Sequence, residues 1–289
     1  MTLKLIKLLL ACVFVFCLYE SSIWYLTDGF CTKNVQSNKE QWEEGALEPN
    51  EKIALDQILT QNFHYLDKGT QVYVFVSDDQ KYVLKLFQHQ RVRPRFYESY
   101  FNLPPFLTQI YAKKNNTRKQ KLLLFEQSCR LAYNLLAEES GLIHLHLNKR
   151  VEIPKQTTLF DKLHRPIDLD LNQCTFYIQK KADLIYPTLA RLMQTCETEK
   201  AKRAVSSLVE LLQRRLGKGV FDLDTALKKN TGLLANEAIC MDVGQLKLAE
   251  CSNPKSEIIK NTSELHQWLA KNYPELSEHL ILQISKIKI

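Results

Sequence analysis

Glycine is scarce in this sequence, eight in 289 residues, and no segment recurs at a fixed period. That excludes solenoids and propellers, whose stacked units leave a visible repeat. Eight cysteines are present, but none fall in the short pairs that hold zinc. Cys129 and Cys240 lie in apolar patterns and read as buried thiols. No block of like charge occurs either. The excess of +7 is spread along the chain, which is weak evidence for nucleic acid and fits phosphate or anionic-surface contact equally well. The basic pairs Lys113-Lys114 and Arg118-Lys119 have no interleaved aromatics and read as a solvated loop rather than a nucleic-acid surface. His144 and His146 share a strand face without a third clustered ligand, so they read as structural. Hydrophobic content of 45% and charged content of 25% are globular values and argue against wholesale disorder.

Long apolar runs are also rare. The exception is Leu8 to Tyr19, preceded by Lys4 and Lys7 and followed by Glu20. Twelve helical residues reach about 18 Å, short of the roughly 30 Å hydrocarbon core. A charged start and a short apolar stretch suit a secretory signal or a marginal anchor, giving a membrane-anchored or secreted chain. No small-residue cleavage site follows, which favours the anchor. The positive-inside rule keeps Lys4 and Lys7 in the cytoplasm and translocates the body.

Beyond residues 1–26, a lead-in segment (27–60) is expected to pack Phe30, together with Trp24 and Tyr25, on the body, and to hold a short helix from Ala54 to Leu59. Three strands are predicted at Phe63–Leu66, Val72–Ser77 and Tyr82–Phe87, with Asp78-Asp79-Gln80 turning between the last two. Alternation puts Lys85 on one strand face with Val83 and Phe87. Residues 88–121 read as a loop. A helix is predicted over Leu122–Glu139, then strands at Leu142–Leu147 and Thr175–Gln179 joined by a polar connection holding Asp161, Asp168 and Asp170. Helices follow at Tyr186–Cys196 and Glu199–Leu216, strands at Leu233-Leu234 and Ala238–Met241, and two helices after Ser263.

The stretch Gly219-Val220-Phe221-Asp222-Leu223-Asp224-Thr225-Ala226-Leu227-Lys228-Lys229-Asn230, followed by Ile239-Cys240-Met241-Asp242-Val243-Gly244, sets acidic residues and an asparagine between apolar runs. A solvated surface turn is the plain reading. A magnesium–nucleotide site is the other, because a hard cation takes oxygen ligands from a few side chains and completes its shell with phosphate and water.

This order of elements resembles the protein-kinase-like fold. It would be an α+β protein in two lobes: an antiparallel N-lobe sheet (61–183) and a reduced helical C-lobe (184–289). Tyr82-Val83-Leu84-Lys85 looks like the Val-Ala-Ile-Lys element, Asp67 to Val74 like the glycine-rich loop with Gly69 alone kept, and Asp242-Val243-Gly244 like Asp-Phe-Gly. The resemblance implies ATP and Mg²⁺ as cofactors. Lys85 would hold phosphates with Glu126 as its counter-charge, and Gly69, Val74 and Val83 would line the nucleotide. Asn230 and Asp242 would bind the metal, and Asp222 or Asp224 would accept the hydroxyl proton. Other readings remain beside these: Lys85 snorkelling from an edge strand, and Glu126 in a solvent-exposed pair with Arg130 four residues on. His-Arg-Asp and Ala-Pro-Glu are missing, as is a peptide-binding lobe. In this the chain resembles membrane-associated kinase-like proteins of intracellular bacteria. The implied function is ATP-dependent phosphoryl transfer to a hydroxyl. The alternatives are a pseudokinase scaffold with an unknown protein partner at a membrane, and a secreted structural protein without a ligand.

Overall fold

The computed structural model describes residues 2–37, 49–93, 104–147, 153 and 156–287. In chain order these form helices α1 (Thr2–Leu26), α2 (Thr32–Val35) and α3 (Pro49–Leu59), strands β1 (Phe63–Lys68), β2 (Val72–Ser77) and β3 (Tyr82–Phe87), and helices α4 (Pro105–Leu135) and α5 (Ala137–Ser140). Strands β4 (Leu142–His146), β5 (Thr157–Phe160), β6 (Pro166–Leu169), β7 (Phe176–Lys180) and β8 (Asp183–Leu184) follow, then α6 (Ile185–Gln194) and α7 (Thr198–Gly217). The chain continues with β9 (Val220–Asp222), α8 (Leu227–Asn230), β10 (Thr231–Leu234), β11 (Glu237–Cys240), β12 (Leu246–Leu248), α9 (Pro254–Asn272) and α10 (Pro274–Ser285). The fold is α+β. It divides into two compact units, residues 1–93 with 146–176, and residues 94–145 with 177–289.

In the first unit α1 is longer than the apolar run suggests. Glu20 does not end it, because glutamate is a good helix former and Ile23 to Leu26 resume the apolar character. The 22 residues Leu5–Leu26 are long and apolar enough to cross a bilayer, about 33 Å of helix. Behind α1 the chain turns through Asp28 (φ 52°) and Gly29 (φ 69°). Phe30 then enters the core edge-on to Tyr73 and Phe75, with ring centroids 5.2 and 5.0 Å away. Tyr73 donates its hydroxyl to Gly29 O at 2.9 Å, and Asp28 accepts from Tyr65 Oη and Lys162 Nζ. Trp24 and Tyr25, expected beside Phe30, are instead exposed. They stay on the surface of the last turn of α1, where the Lys68 ammonium lies 5.2 Å from the Trp24 ring.

The strands of this unit run in the order β3-β2-β1-β5-β6. All pairs are antiparallel except β1 with β5, which is parallel. The expected turn at Asp78-Asp79-Gln80 is present, with Gln80 at φ 59°. Every β3 side chain from Val83 to Phe87 is buried, so its alternation does not separate a wet face from a dry one. The polar connection after β4 is corrected: it contains the β5–β6 hairpin. Thr157 and Leu159 face inward, and Thr158 Oγ1 donates to Asp168 at 2.8 Å. Asp161 is buried and organises the hairpin turn, accepting from the amides of Leu163 and Arg165 and from the Arg165 side chain. Asp170 accepts from the Asn172 amide. All three aspartates thus serve local structure.

In the second unit the expected loop over 88–121 is overturned for residues 105–121, which form the first half of α4. Pro105 does not prevent this. At the first helical position its missing N–H is not needed and its φ is already helical. The described residues therefore place Lys113-Lys114 and Arg118-Lys119 on a helix; residues 94–103 lie outside them. The predicted helix to Glu139 is interrupted at Leu136 (φ −124°, ψ 29°), and α5 ends at Gly141 in the left-handed region. Strands β4 and β7 are neighbours, as are β11-β10-β8 and β12-β9. The stripe Ala201, Ala204, Val205, Leu208, Leu211 and Leu212 on α7 is buried as expected, against α6, α9 and α10. The first of the closing helices begins at Pro254, earlier than expected, because Asn253 caps it by accepting from Ser256 N at 2.9 Å.

Candidate functional site

Asp222, Asp224, Asn230 and Asp242 come together in the second unit, and the backbone explains how. Helix α7 stops at Gly217, Gly219 turns at φ 69°, and β9 pairs with β12 so that Asp222 lies opposite Leu246. The loop from Leu223 to Ala226 then leads into the single turn α8, whose last residue is Asn230. The β10–β11 hairpin returns the chain to that residue. Asn230 O accepts from Met241 N at 2.7 Å and Asp242 N at 3.4 Å. The Asn230 side chain reaches the other way, Nδ2 donating to Asp224 O at 3.2 Å. One asparagine therefore fixes the backbone at both aspartates. The Asn230 side chain is buried, whereas Asp242 is exposed and accepts from Gly244 N at 2.8 Å.

The two candidate aspartates of the loop differ. The Asp222 side chain is 7% exposed and pairs with Arg215, Nη1 to Oδ2 3.4 Å. Its other oxygen accepts from Asp224 N at 3.0 Å. Burial pushes its carboxyl up to about 6, outweighing the pull of Arg215, and the nearby Asp242 and Asp224 carboxylates push the same way. Asp224, half-buried, accepts from Ala226 N at 3.2 Å. The plain reading of the whole cluster as a solvated turn is thus corrected at Asp222.

Sequence reasoning missed two supports, Arg215 and Ser128. Arg215 was invisible because it ends an amphipathic helix where arginine is ordinarily solvated; here it is 4% exposed, between Asp222 and Cys240. Ser128 on α4 donates to Val243 O at 2.5 Å and accepts from Leu246 N at 2.6 Å, stapling the segment after Asp242 to that helix. Gly244 is required by space: a Cβ there would lie 2.8 Å from the Phe125 ring. Glu126 is the neighbour of Phe125 on α4 and is buried, so the reading as half of a solvent-exposed pair is corrected.

The remaining candidates are in the first unit. Lys85 is buried on β3, opposite Val74 on β2. At 9% exposure it is not snorkelling to bulk water. Val83 is buried, and Val74 half-buried. Gly69 lies in the β1–β2 turn, where its N–H donates to Val72 O at 2.9 Å and its carbonyl accepts from Gln88 Nε2, also at 2.9 Å. The amide that a glycine-rich loop would turn toward phosphate is therefore committed within the turn. An added Cβ at Gly69 meets only Val72 side-chain and backbone atoms, the nearest being Cγ2 at 3.4 Å.

As a metal site, the amide oxygen of Asn230 and the carboxylate of Asp242 have the hard-oxygen chemistry that magnesium takes. Among the described residues no three His, Cys, Asp or Glu side chains cluster as ligands, so a cation here would depend on phosphate and water for the rest of its shell.

No family model matches the chain, and no curated protein does. Solved structures that align with it include a crystal structure of WbdD at 14% identity and TM-score 0.37, over 77% of this chain and 45% of that one. WbdD in complex with the kinase inhibitor LY294002 aligns at 15% identity and TM-score 0.35, over 77% and 45%. A structure described as the bifunctional kinase-methyltransferase WbdD aligns at 15% identity and TM-score 0.37, over 75% and 42%. The chain spans less than half the length of these proteins.

Proposed function

We propose that the chain is a kinase-like module that binds ATP with magnesium and transfers the γ-phosphoryl group to a hydroxyl. The observation that carries this reading is the double anchorage of Asn230, whose side chain fixes Asp224 and whose carbonyl fixes Asp242. In this reading Asp224 is the catalytic aspartate. Asp222 is engaged by Arg215, and it is the Asp224 carboxylate that accepts the proton of the attacking hydroxyl. Asp222 is a positioning residue: pinned by Arg215, it holds the Asp224 amide. Asn230 and Asp242 supply oxygens to the metal, Lys85 binds phosphate oxygens, and Glu126 balances the lysine. Gly69, Val74 and Val83 contact the nucleotide. The bound metal would neutralise charge developing on the transferred group, and the protein's share of the rate would be positioning.

The test is a thermal-shift titration of the purified chain with a non-hydrolysable ATP analogue, with and without magnesium. A magnesium-dependent rise in Tm that Asp242→Ala abolishes supports the site. No shift at saturating analogue favours the second reading, a pseudokinase that acts as a scaffold for a protein partner at a membrane. One observation speaks for that alternative: the Gly69 amide is already occupied by Val72. Autophosphorylation that survives Lys85→Ala would remove the phosphate role of that lysine.

A further inference from the structure

Helix α4 is 31 residues long, and its burial changes along its length. Leu122, Phe125 and Cys129 are buried on one face. Before Leu122 no side chain from Pro105 onward is buried. On the side that flanks the Leu122–Cys129 stripe, Phe106, Ile110 and Leu124 are 62%, 47% and 64% exposed. They are spaced so that Lys114 and Lys121 fall in line with them and Lys113 beside them, all exposed. This surface runs about 27 Å along the helix. From Phe106 to Phe125 there are five cationic residues (Lys113, Lys114, Arg118, Lys119 and Lys121) and no acidic one.

We propose that this exposed flank of α4 docks on an anionic lipid surface. Three large apolar side chains among lysines, along one side of a helix, match the interfacial helix that buries its apolar groups at the headgroup boundary while its cations meet lipid phosphates. Charge complementarity selects the partner, because a face without a single carboxylate gains from a negatively charged plane. The N-terminal span candidate adds to the case. One membrane signal holds the chain near a bilayer, and a basic apolar patch then binds at high effective concentration. The packed half of the same helix carries Ser128 and Phe125, which touch the Asp242-Val243-Gly244 segment. Lipid contact would therefore act on the helix that supports the candidate site, although the docking stands whether or not that site binds a nucleotide.

The experiment uses the full chain in nanodiscs of phosphatidylcholine alone or with phosphatidylglycerol, carrying p-benzoylphenylalanine in place of Phe106. On irradiation, lipid adducts are expected in the anionic discs at low salt, several-fold fewer at high salt, and few in neutral discs. The triple variant Lys113→Glu, Lys114→Glu, Lys121→Glu should abolish them with the unfolding midpoint in detergent unchanged. The salt comparison on the otherwise unaltered chain decides the matter should that variant fold poorly. Equal adducts in both discs, no lipid adduct in either, or adducts to a second copy of the chain would overturn the proposal.

Discussion

Arg215 and Asp222 form an ion pair at 3.4 Å in which neither side chain is more than 7% exposed. The pair is asymmetric in its effects. Burial raises the Asp222 carboxyl to about 6 although a guanidinium lies beside it. The folded state then holds a proton more tightly than the unfolded chain does. Stability from this group is fully present below about pH 4 and is lost as pH rises through about 6. Moving a carboxyl from its ordinary value near 4 up to about 6 is linked to about 3 kcal/mol. Urea unfolding midpoints should fall between about pH 4.5 and 7, and Asp222→Asn should flatten that slope. An unchanged slope in the variant would assign the pH dependence elsewhere.

Removing Arg215 leaves a carboxylate buried without its cation. Arg215→Met should cost about 3–5 kcal/mol at pH 7, the range for breaking a buried pair. The loss should shrink at about pH 5, where Asp222 is largely protonated. Denaturant melts of the variant at both pH values check this, and a loss independent of pH would mean that packing, not charge, dominates.

The glycines divide into those that space demands and those it does not. A Cβ at Gly232 would meet Met241 Sδ at 2.4 Å and both Ala182 Cβ and Asp183 O at 2.9 Å, and one at Gly244 would meet the Phe125 ring at 2.8 Å. Gly232→Ala and Gly244→Ala should each destabilise by about 1–3 kcal/mol. Gly69→Ala comes no nearer than 3.4 Å to a single methyl and should stay within about 0.5 kcal/mol. Chemical denaturation of the three variants gives the ranking directly.

Ser128→Ala removes one donor and one acceptor at once, leaving Val243 O and Leu246 N without the serine. The cost should be about 1–3 kcal/mol. Because Val243 adjoins Asp242, the magnesium-dependent thermal shift should also fall. A stability loss with the shift intact would separate the staple from the metal site.

Much of the fold was legible from periodicity. Strands β2 and β3 begin and end where the β-branched and aromatic runs do, and the α7 stripe is the one that three-and-four spacing selects. The first half of α4 was not legible. Two prolines and a run of lysine and asparagine look like a loop, yet Pro105 starts the helix and residues that bury nothing can still continue one already nucleated. The β5–β6 hairpin hid for the opposite reason: its short strands are flanked by aspartates that satisfy their own turns. At the candidate site Asp222, Asp224, Asn230 and Asp242 could be picked out as residue types at a spacing. What separates Asp222 from Asp224 is a contact with Arg215, which is set by how α7 ends and which no local pattern encodes.

Only Thr27, Asp28 and Gly29 separate the end of α1 from the buried ring of Phe30, and their backbone is folded into a turn. Fully extended, three residues would give about 10 Å of slack, and the turn gives up most of it. A helix lodged in a bilayer would therefore act on the β1–β2 hairpin as a bracket rather than a leash. Were α1 to span a membrane, the edge of the first unit that holds Phe30 would be kept within a turn of the bilayer surface.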